Sequence, residues 1–103
     1  FEKLPVPDRV DVIAEEIVRV DDIDLNQHVN NAGYPSWVLD ALPADFTMRR
    51  KLKEIQIQYK YPVQKGDTIK VKTQMDENTG LHVITNGSST LEFARIKTVW
   101  QFK

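Results

Sequence analysis

In the stretch Glu54-Ile55-Gln56-Ile57-Gln58-Tyr59-Lys60-Tyr61-Pro62-Val63, the apolar Ile55, Ile57, Tyr59, Tyr61 and Val63 alternate with Glu54, Gln56, Gln58, Lys60 and Pro62. A period of two marks a strand with one buried and one wetted face, because successive side chains on an extended backbone point to opposite sides. Such a strand cannot cover its own apolar face, so the flanking chain has to supply partners. Downstream it does. Gln64-Lys65-Gly66-Asp67 has turn composition, and Ile69, Val71, Thr73 and Met75 then alternate with Lys70, Lys72 and Gln74 as a return strand. Asp76 to Gly80 reads as a second turn, Leu81, Val83 and Thr85 as a third long strand, and Asn86-Gly87-Ser88-Ser89 as a further turn. Ala94, Ile96, Thr98, Trp100 and Phe102 face one way along the last strand.

Upstream the period changes. From about Asn30 to Leu42 the apolar positions Tyr34, Trp37, Val38, Ala41 and Leu42 recur at steps of three and four, which predicts a helix with one core side. Pro35 falls near its first turn, where a missing N–H costs little, and Pro43 closes the pattern. Pro43 to Arg50 reads as a linker, and Val10 to Val20 as a first strand whose alternation Glu15 and Glu16 interrupt. The order is strand, helix, then about four antiparallel strands. This is an α+β pattern whose natural solution is a sheet wrapped around the helix. The opposite sheet face carries Gln58, Lys60, Lys70 and Lys72 and is expected to be wet.

With 103 residues, 41% apolar and 28% charged, the chain has the size and composition of one globular domain. A net charge of −1 gives no case for nucleic acid or an anionic membrane as partner. The absence of cysteine excludes a thiol nucleophile, a disulfide and a thiolate metal site. No apolar run approaches the roughly 20 residues that span a bilayer. Phe1 to Asp8 holds two prolines, so residues 1–9 read as a linker or a trimmed end and residues 10–103 as the folded domain.

Just before the helix lies Asp22-Ile23-Asp24-Leu25-Asn26-Gln27-His28-Val29-Asn30-Asn31. One Asn or Asp suffices to cap a helix, and Asp22, Asn30 or Asn31 can do that. Asp24, Asn26 and His28 are surplus to a cap. They alternate, so an extended backbone points all three to one side, an arrangement able to hold a base, an amide and an imidazole around one substrate atom. His82 has no acid nearby in sequence and reads as an ordinary strand residue. Neither histidine has a ligand-spaced partner, so no metal is expected. Tyr34 and Trp37 read first as core residues.

Asp24, Asn26, His28 and the following Val29-Asn30-Asn31, with Tyr34 and Trp37 in the helix, resemble the hotdog-fold thioesterases, and most closely the catalytic C-terminal half of the acyl-ACP thioesterase family. The resemblance implies a single hotdog domain, an antiparallel sheet wrapped around one long helix, that hydrolyses fatty acyl thioesters without a cofactor. Asp24 takes the place of the key carboxylate, activating water or attacking directly. Asn26 would hold the water or the carboxylate, and His28 would position the thioester or share the proton work. Backbone N–H groups of Val29, Asn30 and Asn31 would receive the growing oxyanion charge. Tyr34 and Trp37 would line the acyl site. The implied partner is an acidic acyl carrier protein, with Arg49, Arg50, Lys51 and Lys53 as candidate contacts and a solvated loop as the plain alternative; coenzyme A is the other possible carrier. Two hotdog halves share one chain in that family. This chain is therefore expected to be half of a double hotdog or to form a homodimer, in a bacterial cytoplasm or in a plastid.

One departure stands out. Plant-type members place a Glu, followed by Cys, a few residues after the Tyr of the second strand. Here Pro62 or Val63 takes that Glu position, depending on alignment, and no acid occurs between Glu54 and Asp67. A non-catalytic acyl-binding or assembly module is accordingly the alternative, and a small acyl-CoA thioesterase relying on Asp24 alone is a third reading.

Overall fold

In the computed structural model, which describes residues 3–17, 33–64 and 66–103, the elements run β1 (Val12–Ile17), α1 (Gly33–Ala41), α2 (Ala44–Arg49), β2 (Arg50–Tyr59), β3 (Thr68–Asp76), β4 (Thr79–Asn86) and β5 (Glu92–Phe102). The described strands form one sheet in the order β1-β3-β4-β5-β2, antiparallel throughout. β3, β4 and β5 follow one another through short turns, while β1 and β2 form the two edges.

One face of this sheet receives α1. Tyr34, Trp37 and Val38 pack with Ile69 and Val71 of β3, Ile84 of β4, and Phe93, Ala94 and Ile96 of β5, and Ile55 and Ile57 of β2 lie alongside. Most of these strand residues hold the inward parity that the alternation marks. Burying each such aliphatic side chain stabilises the fold by about 1.5–3 kcal/mol, so the core outweighs any polar contact on the surface.

Element limits differ from the pattern for identifiable reasons. The first strand is Val12–Ile17 and the helix Gly33–Ala41; Val18 to Ala32 lie outside the described residues. The segment Pro43 to Arg50, read as a linker, holds the six-residue helix α2, with Asp45 in its first turn and Arg49 in its last, each on the side that suits the helix dipole. β2 begins at Arg50 rather than near Glu54, because the register shifts between Leu52 and Glu54 and breaks the alternation in sequence. It ends at Tyr59. Pro62 has no N–H to donate, and the amides of Lys60 and Tyr61 both reach the Phe93 carbonyl.

The outer face is drier than its lysines imply. Residues 3–10 cross it as a strap: the Leu4 N–H donates to Gln58 Oε1 (3.0 Å), and Arg95 donates to the Leu4 carbonyl (3.0 Å). At its other end the Asp8 and Arg9 amides share Gln74 Oε1 (2.6 and 3.2 Å). Leu4, Gln74, Val83 and Thr85 are buried there. The lysines of this face are partly neutralised, Lys60 by Glu92 (2.8 Å) and Lys70 by Glu15 (3.5 Å).

Candidate active site

Asp24, Asn26, His28, Val29, Asn30 and Asn31 lie outside the described residues, so the site is built from what flanks them. β1 ends at Ile17, opposite Thr68 of β3. α1 resumes at Gly33, and Tyr34 in its first turn meets Tyr59 edge-on, with ring centroids 5.0 Å apart. Thr68 and Tyr59 mark the same end of the sheet, since Tyr59 pairs with Ala94, Ala94 with Ile84, and Ile84 with Val71. The described chain therefore leaves and re-enters at one end.

Tyr34 and Trp37 are both buried, and their rings meet edge-to-face at 5.2 Å. Burial raises the Tyr34 phenol above its ordinary value, with the Val63 backbone amide opposing. A neutral, packed phenol suits an anchor for the start of α1 better than an acid or base. Both aromatics belong to the core, the first of the two readings their sequence positions allow.

The segment that the resemblance aligns with the plant-type Glu is apolar in three dimensions too. Val63 is fully buried in the core cluster, and Pro62 is exposed. The nearest downstream acid, Asp67, is occupied in the turn, where its Oδ2 accepts the Gln64 amide at 2.8 Å.

His82 proves to be more than an ordinary strand residue. Its ring is fully buried, with Nδ1 2.9 Å from Thr73 Oγ1 and Nε2 2.8 Å from Thr98 Oγ1, and Trp100 Nε1 donates to that same Thr98 oxygen at 2.9 Å. Burial without a counter-charge lowers its pKa from 6.5 to about 4. The imidazole is thus neutral at pH 7 and serves as a hydrogen-bonding bridge across β3, β4 and β5. The signal lay in parity: Thr73, His82 and Thr98 share the inward face with Val71, Ile84 and Ile96. Among the described residues no three His, Asp or Glu side chains gather in a way that could hold a metal.

The basic cluster lies at the other end of β2, where Arg50 pairs with Phe102; nine residue steps along a strand make about 30 Å from there to Tyr59. Arg49, Lys51 and Lys53 are exposed. Arg50 is half-buried, with its guanidinium 4.1 Å from the Phe46 ring centroid and 4.4 Å from that of Phe102, and its Nε donates to Asn78 Oδ1 at 3.2 Å. No helix among the described residues is long and apolar enough to cross a membrane.

Comparison with known proteins places this geometry. The family profile of the acyl-ACP thioesterase C-terminal domain matches residues 7–102. The oleoyl-acyl carrier protein thioesterase of Coriandrum sativum, a chloroplastic protein, is 37% identical over 70 residues, covering 64% of this chain and 19% of its own length. The chain thus spans about a fifth of that relative. The 12:0-ACP thioesterase of Umbellularia californica superposes with a TM-score of 0.87 at 24% identity, covering 100% of this chain and 40% of that one. A structure described as an oleoyl thioesterase from Lactobacillus plantarum gives a TM-score of 0.82 at 28% identity, covering 99% and 43%.

Proposed function

Because the chain belongs to the acyl-ACP thioesterase C-terminal domain family, we propose that it is the catalytic hotdog of an enzyme that hydrolyses fatty acyl thioesters on acyl carrier protein and releases free fatty acid. The observation that carries this reading is the extent of the family match, which takes in Asp24, Asn26 and His28 together with the whole described sheet. Asp24 activates the attacking water, or itself attacks the thioester carbonyl to give an acyl anhydride that water then cleaves; in either case the carbon–sulfur bond breaks and the carrier's sulfur leaves as its thiol. Asn26 holds the water or the carboxylate, and His28 positions the thioester or shares the proton work. The amides of Val29, Asn30 and Asn31, just before α1, stabilise the oxyanion. No cofactor enters these steps. The acidic carrier protein docks on Arg49, Lys51 and Lys53, and its own body together with its prosthetic arm spans the distance from that corner to the end of β2 beside α1.

The outer edge of β2 pairs with no strand among the described residues, and Tyr59, Tyr61 and Phe102 are exposed near its two ends. This edge supports pairing with a second copy or with the companion half of a longer chain. We place the protein in the cytoplasm of a bacterium; a plastid, which the names of the plant relatives give for those proteins, is the competing compartment.

The test is thiol release from acyl-ACP and acyl-CoA, compared between wild type and Asp24→Asn, with the oligomeric state measured alongside. The protein has no cysteine to react with the thiol reagent. General-base catalysis of this kind contributes about 100- to 10,000-fold, so Asp24→Asn should lose at least 100-fold. Equal turnover by both proteins would sink the assignment of Asp24. A second reading, a non-catalytic acyl-binding module, draws on the fully buried Val63 in the segment of the family Glu. It predicts no turnover from wild type and unchanged acyl-ACP affinity in Asp24→Asn.

A further inference from the structure

We propose that Arg50 is a positioning residue for carrier-protein docking: held between Phe46 and Phe102, it fixes the corner between α2 and β2 from which Arg49, Lys51 and Lys53 project. The inference rests on the acyl-ACP reading above. Its basis is the way Arg50 is held. Two aromatic rings lie 4.1 and 4.4 Å from the guanidinium carbon, one from α2 and one from the last residue of β5. Its Nε is bound to Asn78, whose own carbonyl accepts the Trp100 amide at 2.8 Å, and the Phe46 ring stands edge-on to Trp100 at 5.2 Å. Arg50 thereby joins α2, the β3–β4 turn and β5 at one point.

The consequence for its neighbours follows from strand parity. Arg50 pairs with Phe102, and Leu52 with Trp100, both toward the side of α2; Lys51, between them, takes the opposite face. The Arg49 carbonyl accepts the Lys103 amide at 3.0 Å, which ties the end of α2 to the end of β5. Among the described residues Arg49, Lys51 and Lys53 form no ion pair, so their charges are available to an acidic partner. Arg50 has instead committed its planar face to two rings. A lysine carries the same charge but no plane to stack, which makes Arg50→Lys a test of geometry at constant charge.

The experiment measures kcat and KM for acyl-ACP and for acyl-CoA with wild type, Arg50→Lys and Phe102→Leu, the last removing one ring at an exposed position should Arg50→Lys fail to fold. Arg50→Lys is expected to raise the KM for acyl-ACP about tenfold relative to that for acyl-CoA, with KM rather than kcat carrying the loss. Phe102→Leu should move the ratio the same way. An unchanged ratio overturns the inference, as does an equal fall in kcat with both carriers, the mark of a role in folding alone. If wild type turns over neither substrate, the hydrolase reading fails, and the inference is decided by the Kd for acyl-ACP of wild type against Arg50→Lys. No binding by wild type, or equal Kd values, overturns it; weaker binding by Arg50→Lys supports it.

Discussion

At the scale of single residues, the buried bridge of Thr73, His82 and Thr98 makes the sharpest demands. The folded pKa of His82, about 4, lies below the 6.5 of an unperturbed histidine. Above pH 6.5 neither the folded nor the unfolded state protonates it, and its contribution is fully present. As pH falls from 6.5 toward 4 the unfolded chain takes a proton that the native ring refuses, so stability declines by about 1.4 kcal/mol per unit before levelling off, on the order of 3 kcal/mol in all. Urea unfolding across that window should show this slope, and His82→Asn should flatten it. Asp11 and Asp76, whose pKa values are lowered by hydrogen bonds, lose stability only at lower pH and do not mimic the effect. Gly80 is part of the same bridge. A Cβ there would stand 2.5 Å from Thr98 Oγ1 and 2.6 Å from His82 Nε2, so Gly80→Ala is expected to cost about 1–3 kcal/mol in the same assay. Val63→Glu, which writes an acid back into the family segment, puts a carboxylate into a fully buried position. It should destabilise by several kcal/mol, about 3 or more, without raising turnover, because an unpaired buried charge costs more than a catalyst could recover there.

Elements show where local pattern and packing part company. The alternation from Ile55 to Tyr59 is legible because each side chain meets a predictable face, whereas Arg50 to Lys53 is not, because the register shift at Leu52 makes two successive inward residues fall three apart. α2 was hidden for a different reason. Six residues are too few for a period to declare itself, and the helix is held by Phe46 against Trp100, a contact between residues 54 apart in sequence. Phe46→Ala removes that contact and one face of the Arg50 stack. It is expected to cost about 2 kcal/mol and to raise amide exchange across Ala44–Arg49 while α1 stays protected.

For the molecule as a whole, the strap over the outer face decides how much of the sheet meets water. Its ion pairs, Arg9 with Asp11 and Asp76, are exposed and screened by salt, so the anchor that matters is the buried carboxamide of Gln74, which accepts two strap amides. Gln74→Ala should therefore sensitise the bonds after Lys3 and Arg9 to trypsin, whereas 0.5 M salt, a concentration of roughly the order that screens surface pairs, should not. The sequence alone determined the strand and helix periods, the inward residues of β3 and β5, and the motif from Asp24 to Asn31 with the missing Glu after it, since each is a pattern of near neighbours; in β4 the apolar Leu81 and Val83 mark the outer face, and His82 and Ile84 point inward. Only the tertiary structure decided that His82 is bridged, that Leu4 is covered, that Arg50 is stacked, and that the basic corner lies at the opposite end of β2 from Tyr34. Each of these joins residues distant along the chain, and a side chain's solvent, partners and charge state depend on what the fold brings against it, which no local period encodes.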